Sequence, residues 1–204
     1  MGRLVVTTSL SLDGVMQSPG IPDEDTSGGF ALGGWLVPHF DESLAALEQS
    51  GALLIGRRTY DIFAAYWPKV DDDDPIGKIM NNTQKYVVST TLRDPAWQNT
   101  TVLSGDVVAE ITDLKRREGE IHVPGSGNLV QTLLANDLVD EFRLTHFPVL
   151  LGSGKRLFAD GTSPAGLKLT NTMITKTGVI AATYVRDGEV KLGSFALDQE
   201  QAGD

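Results

Sequence analysis

The chain has 204 residues, 41% of them hydrophobic and 22% charged, a mixture that supports a buried core and excludes intrinsic disorder. Its net charge of −10 at pH 7 excludes the basic stripe that nucleic-acid binding needs, and the absence of cysteine removes disulfides, thiolate nucleophiles and sulfur metal sites. No run approaches the ~20 apolar residues of a membrane span, so a soluble, cytoplasmic protein with neither a membrane nor a nucleic-acid partner is expected.

The opening Met1 to Val6 is too short an apolar run for a signal peptide, and Val6 stands where myristoylation requires Ser or Thr. Leu4 to Thr8 reads as a short buried strand. The polar, glycine-rich stretch 18–34 is too long for an idle connection and is read as functional, a candidate lid. Pro38, with Asp41 and Glu42 in a first turn, Leu44 and Leu47 following and Gly51 as a stop, predicts a helix. Ala52 to Ile55 is a strand. After Gly56, Tyr60, Phe63, Ala64 and Trp67 recur at helical spacing until Pro68, which completes a βα unit. The acidic run Asp71 to Asp74 reads as a solvated loop.

Further on, Lys85 to Ser89 and Thr101 to Leu103 read as strands, and Val107 to Arg117 as a helix ending on the cations Lys115, Arg116 and Arg117. Ile121 to Val123 is a buried strand, Leu129 to Leu134 a helix, and Glu141 to Phe147 an alternating strand. Leu167 to Lys176 and Val179 to Arg186, joined at Thr177-Gly178, predict a hairpin. The expectation is an α/β fold in three layers: a mixed, mostly parallel sheet with helices on both faces and a C-terminal antiparallel hairpin. One domain is expected over 1–187, with a polar tail over 188–204.

Two strand-to-helix turns carry chemistry. In a parallel sheet such turns share the carboxyl edge, where helix N-termini offer N–H groups and partial positive charge to phosphate. Gly56-Arg57-Arg58-Thr59 puts two guanidiniums where a helix start prefers acids, which points to an anionic guest unless the arginines merely pair with the surplus of acids. Gly125-Ser126-Gly127-Asn128 lets a backbone approach a pyrophosphate without a Cβ in the way, though such a glycine pair also serves as a plain connection. Ser89 and Thr90, ending a third strand, complete a groove for a dinucleotide.

Ala52 to Tyr60, Lys85 to Ser89, Ile121 to Gly127 and Leu144 to His146 follow the order and spacing of dihydrofolate reductases, which the chain resembles from about Leu4 to Arg186. Ser11-Leu12-Asp13-Gly14 and Pro148 to Gly154 look more closely like the reductase domain of bacterial riboflavin biosynthesis and its stand-alone relatives. The resemblance implies a dihydrofolate-reductase-like fold, NADP as cofactor, and an NADPH-dependent reductase transferring hydride to a C=N or C=O of a small pteridine-, pyrimidine- or ribosylamino-like substrate. It implies Arg57 on the 2′-phosphate, Thr59 and the glycine turn on the pyrophosphate, and Ser89 near the adenosine. A homodimer is also implied by it.

On the substrate side, the resemblance gives Trp35 and Asp41 the places of a tryptophan and a pterin-holding carboxylate, with Thr145 nearby; Asp41, through a water, or water alone, would deliver the proton. Asp41 is one residue out of register and also suits a helix N-cap. Asp13, with Gly14, makes a tight turn or lines the nicotinamide pocket. Tyr60, Phe63 and Trp67 suit a helix core, and His39, His122 and His146 show no metal-ligand spacing. A reading of another class is a non-catalytic module that senses a nucleotide or small ligand in the same groove.

Overall fold

The computed structural model describes residues 2–47, 51–71 and 73–195. Among them, one mixed sheet contains β1 (Arg3–Ser11), β2 (Ala52–Gly56), β3 (Lys85–Val88), β4 (Thr100–Leu103), β5 (Glu120–Pro124), β6 (Glu141–Phe147), β7 (Leu167–Ile174) and β8 (Ile180–Arg186). The helices are α1 (Arg57–Tyr66), α2 (Pro75–Asn82), α3 (Val107–Arg117) and α4 (Gly127–Ala135). The strand order is β4-β3-β2-β5-β1-β6-β8-β7, parallel from β4 to β6, with β8 antiparallel to both of its neighbours.

Apolar runs without alternation dictate burial on both faces, and Leu4, Val5, Val6, Leu54 and Ile55 are fully buried. Leu4, Val6, Leu54, Ile121 and Val123 share one face with Ile111 and Leu114 of α3 and Val130 and Leu133 of α4. Ile55 and Val87 turn the other way, against Tyr60 and Phe63 of α1, Met80 of α2, and Trp97. Three layers result, and the terminal hairpin turns through Gly178 at a φ of 83°.

The structure departs from expectation in two elements. The helix predicted from Pro38 is a pair of 3-10 turns, 37–39 and 42–47, and residues 48–50 lie outside the described residues. Its tight winding begins where Leu44 N donates to Asp41 O, a three-residue step, while the Asp41 carboxylate takes the Ser43 amide at 2.9 Å. Conversely, α2 was not foreseen: the described residues of the acidic run are the exposed loop expected, but its last member starts a helix over Pro75–Asn82. Asp74 accepts from Gly77 N at 2.8 Å with Pro75 in the first turn, which is a helix start. The last turn of α2 then receives the fully buried Lys85, whose Nζ donates to the carbonyls of Met80 and Asn81 and lies 4.2 Å above the Trp97 ring. Of the polar tail expected over 188–204, residues 196–204 lie outside the described residues.

The parallel register sets the ends of β1, β2 and β5 side by side, with Thr7 opposite Pro124. A crevice opens there.

Candidate functional site

The two turns singled out in the sequence are tied directly to each other. Ser126 Oγ accepts the Gly56 amide at 2.8 Å and donates to Thr59 Oγ1 at 2.7 Å, so the starts of α1 and α4 meet across one hydroxyl. Gly125 and Ser126 both adopt left-handed backbone, at φ 70° and 63°, which folds the chain sharply from β5 into α4. Neither α1 nor α4 has a side-chain cap or an acidic residue in its first turn, whereas α2 and α3 are each capped by an aspartate, Asp74 and Asp106. Uncapped amides of two helices therefore border the same opening, where they favour an anion.

That opening is a cleft of about 1240 Å³, lined by Gly56, Arg57, Arg58 and Thr59 on one side and by Gly125, Ser126, Gly127 and Asn128 on the other. Val88 and Val107 add apolar wall. Arg57 forks onto Asp61 through Nε at 2.8 and 2.9 Å and reaches Thr91 Oγ1 at 3.3 Å, so in this state it is paired along its own helix. Arg58 donates to Asp25 at 2.5 Å, and Lys155 reaches the other oxygen of the same carboxylate at 2.7 Å. The expected alternative for the arginines, pairing with acids, is thus met in the geometry, while both still line the cleft.

Asp25 lies in the long loop after β1, which packs as a flap over the cleft. Gln17 holds it by donating to the carbonyls of Asp25 and Ser27, both at 2.9 Å, and accepts from Lys155 N at 3.0 Å. Burial works to raise the Asp25 pKa, but hydrogen bonds from Lys155 and Ser27 outweigh it and hold the carboxyl down to about 2. Sequence reasoning did not single out Gln17, Asp25 or Lys155, because nothing local separates Asp25 from its neighbours Asp23 and Glu24.

A smaller hollow of about 440 Å³ opens beside the cleft on the α1–α2 side of the sheet, and the two share Thr7, Thr8, Ser9, Leu36, Phe63 and Trp67 as walls. His122, Arg143 and Thr145 line the hollow from the sheet. His122 Nε2 stands 3.1 Å from Glu120 Oε1, a pair that is ionic only with a protonated imidazole, and the nitrogen is buried without a hydrogen-bond partner among the described residues. Burial lowers the His122 pKa below the ordinary histidine value, with the Glu120 carboxylate opposing more weakly, which leaves the imidazole neutral at pH 7.

The remaining expected residues take other tasks. Trp35 is buried, donates Nε1 to Gln17 O at 2.8 Å and packs edge-on to Phe147, anchoring the flap; it lines neither chamber. Asp41 spends one oxygen on Ser43 N and Oγ, and those bonds lower its pKa, so it is an ionised turn-former outside both chambers. Asp13 accepts from Ser11 Oγ, Leu151 N and Gly152 N, the first of these being foremost in holding its pKa at about 2; it clasps the segment after β6 to the end of β1. Ser89 is buried with its Oγ accepting the amides of Thr91 and Leu92, and neither Ser89 nor Thr90 lines the cleft. Tyr60 is core as expected, whereas Phe63 and Trp67 pack on that core and also wall both chambers. Among the described residues no group of three or more His, Cys, Asp or Glu could hold a metal, and no helix is long and apolar enough to cross a membrane.

Residues 3–181 match the family model described as the RibD C-terminal domain. The uncharacterized protein YyaP of Bacillus subtilis (strain 168) is 34% identical over 146 residues, which is 70% of this chain and 77% of YyaP. Among solved structures, a protein of Shewanella sp. PV-4 assigned to riboflavin biosynthesis superposes with a TM-score of 0.66 at 25% identity, covering 91% of this chain and 99% of its own. The dihydrofolate reductase of Enterococcus faecalis, solved with NADP(H), shares the fold with a TM-score of 0.58 at 14% identity over 91% of this chain and 97% of its own.

Proposed function

The chain belongs to the family of the RibD C-terminal domain, with the fold of dihydrofolate reductases, and from that premise we propose that it is an NADPH-dependent reductase of a small C=N or C=O compound. The observation that carries the proposal is the Gly56–Ser126–Thr59 junction, which brings two uncapped helix starts and two arginines to one cleft. The same-fold enzyme solved with NADP(H) supports the choice of cofactor.

The residues fit a dinucleotide. Amides of the Gly125 to Asn128 turn and of the α1 start would hold the pyrophosphate, Thr59 and Arg58 would border it, and Arg57 would meet a 2′-phosphate in exchange for Asp61. Val88 and Val107 supply apolar wall for the adenine. When bound, the nicotinamide supplies a hydride from C4 to the carbon of the C=N or C=O, and a proton goes to the heteroatom. The chain's contribution is then largely positioning and exclusion of water, with the flap anchored by Asp25 over the cleft and the hollow holding the acceptor alongside. Asp13 and Asp41 stand outside both chambers, which leaves water as the proton source in this reading.

The same placement of Asp13 and Asp41 favours, as a second reading, a module that binds a nucleotide without catalysis. Stoichiometric mixing of protein and NADPH with a panel of carbonyl, imine and pteridine compounds separates the two. A reductase consumes the reduced-nicotinamide absorbance in a single turnover with at least one compound; tight NADPH binding with no oxidation across the panel selects the sensor.

The absence of cysteine suits a reducing cytoplasm as the place of work. The exposed edge strand β7, with Leu169 and Ile174 facing water, supports pairing of two copies into a homodimer.

A further inference from the structure

We propose that the hollow selects an uncharged, largely apolar ring compound with a hydrogen-bonding edge and rejects phosphorylated sugar-amines. This inference rests on the reading of the adjoining cleft as the nicotinamide site of a reductase.

The walls argue for it first. Leu36, Phe40, Leu53, Phe63, Ile79 and Met80 line the hollow, and at its rim Phe40 and Ile79 remain 50% and 48% exposed. Large apolar side chains held in water around a concave opening mark a surface built to be covered by apolar matter. The volume, about 440 Å³, lies within the ~300–1,000 Å³ typical of small-ligand pockets.

Charge argues for it next. Among the described residues Arg143 is the one Lys or Arg lining the hollow, and all three of its guanidinium nitrogens are engaged. Nε donates to Glu141 at 2.6 Å, and the terminal nitrogens donate to Glu120 at 2.9 and 3.2 Å. Arg3 binds the same two carboxylates, at 2.5 and 2.8 Å, so two cations already balance two anions. His122 contributes no charge. A phosphate or carboxylate entering this hollow would leave water with no unspent cation to receive it, a transfer that strongly disfavours binding. The cleft next door differs: Arg57, Arg58, Lys155 and Arg156 line it, outnumbering the carboxylates of Glu24, Asp25 and Asp61 there, and two uncapped helix starts add free amides. Charged and neutral parts of the two ligands are thereby sorted into separate chambers.

What the sheet does offer a guest is hydrogen bonding. His122 Nε2 and Thr8 Oγ1 are buried with no partner among the described residues, and their residues are only 6% and 8% exposed. His122 lies on the wall of the hollow, on the sheet face of Leu53, whereas the alternation of β1 puts the Thr8 side chain on the other face, with Leu4, Val6 and Leu10. An unmet buried polar atom is uncommon, and His122 Nε2 on the wall of the hollow fits a nitrogen- or oxygen-bearing edge of a heteroaromatic ring.

Calorimetric titration of the NADPH-saturated protein with matched pairs tests this: 6-methylpterin against pterin-6-carboxylate, quinoxaline against quinoxaline-2-carboxylate, and ribose 5-phosphate as a third arm. At least one neutral member binds tenfold or more tightly than its carboxylate, and ribose 5-phosphate does not bind. His122→Phe weakens the neutral ligand about tenfold with NADPH affinity unchanged, and His122→Gln recovers most of the loss. Should His122→Phe not fold, the preference of the unaltered protein for the neutral member of each pair still decides the inference. Equal or tighter binding of a carboxylate or of ribose 5-phosphate, no binding by either neutral ring, or indifference to the folded variants overturns the inference. If NADPH itself does not bind, the reductase reading falls, and the same pairs titrated without cofactor still decide the character of the hollow.

Discussion

At the scale of single residues, Ser126 and Arg57 do different jobs in one cleft, and substitution separates them. Ser126→Ala removes the acceptor of the Gly56 amide and the tie to Thr59, leaving a part-buried N–H unmet at about 1–3 kcal/mol and loosening both helix starts. NADPH and NADH then weaken together. Arg57→Ala removes the group proposed to meet a 2′-phosphate, together with an exposed pairing to Asp61, so NADPH weakens on the order of tenfold to a hundredfold while NADH changes little. Equal losses of both cofactors in Arg57→Ala would take Arg57 out of that role. Arg57 and the glycine turn were legible in the sequence because basic residues at a helix start and paired glycines after a strand are local anomalies. Asp25, Lys155 and His122 were not, since each acquires its meaning from a partner far along the chain or from burial. Lys155 is 130 residues from Asp25. Trp35 and Asp41, placed by resemblance, lie in the flap core and in an exposed turn, positions set by their bonds to Gln17 and Ser43.

At the scale of elements, the flap is held shut by one carboxylate between two cations, which makes it sensitive to acid. The Asp25 pKa falls from 3.8 to about 2 on folding, because its hydrogen bonds from Lys155 and Ser27 overcome the cost of burial. A depressed carboxylate stabilises the fold fully above pH 3.8 and loses that contribution as pH falls through about 2. The contribution is on the order of 2 kcal/mol, from ~1.4 kcal/mol per pKa unit. Calorimetric melting from pH 5 to pH 2 therefore shows a drop that Asp25→Asn lacks, and at pH 7 the variant melts about 4–8 °C lower. A variant with the wild-type profile and melting temperature would show the clamp to be without weight. Elements with strong periodicity, α1, α3, α4 and the parallel strands, were readable, because burial on one stripe or both faces leaves its pattern in the sequence. The 3-10 turns after Pro38 and the helix α2 were not; in the first, an Asp41–Ser43 turn competes with the α-helix, and in the second, Asp74 is hidden as a cap within a run of like residues.

At the scale of the whole molecule, parallel pairing of β2, β5 and β1 sets strand ends, helix starts and flap around one crevice, and the sheet's other features follow from covering it. The cleft was foreseeable from that topology. The hollow was not, for its walls come from β1, β2, β5, β6, β7, β8, both helices α1 and α2, and the turns around Phe40, a convergence that no sequence window contains. In the proposed function, the junction of α1 and α4 and the neighbouring Arg57 hold NADP by its phosphates, the 2′-phosphate included. Isothermal titration of the intact protein with NADPH and with NADH decides this: NADPH binds, tighter than NADH by about tenfold to a hundredfold, with one site per chain. No heat from either nucleotide at millimolar concentration, or equal affinity for the two, would contradict it.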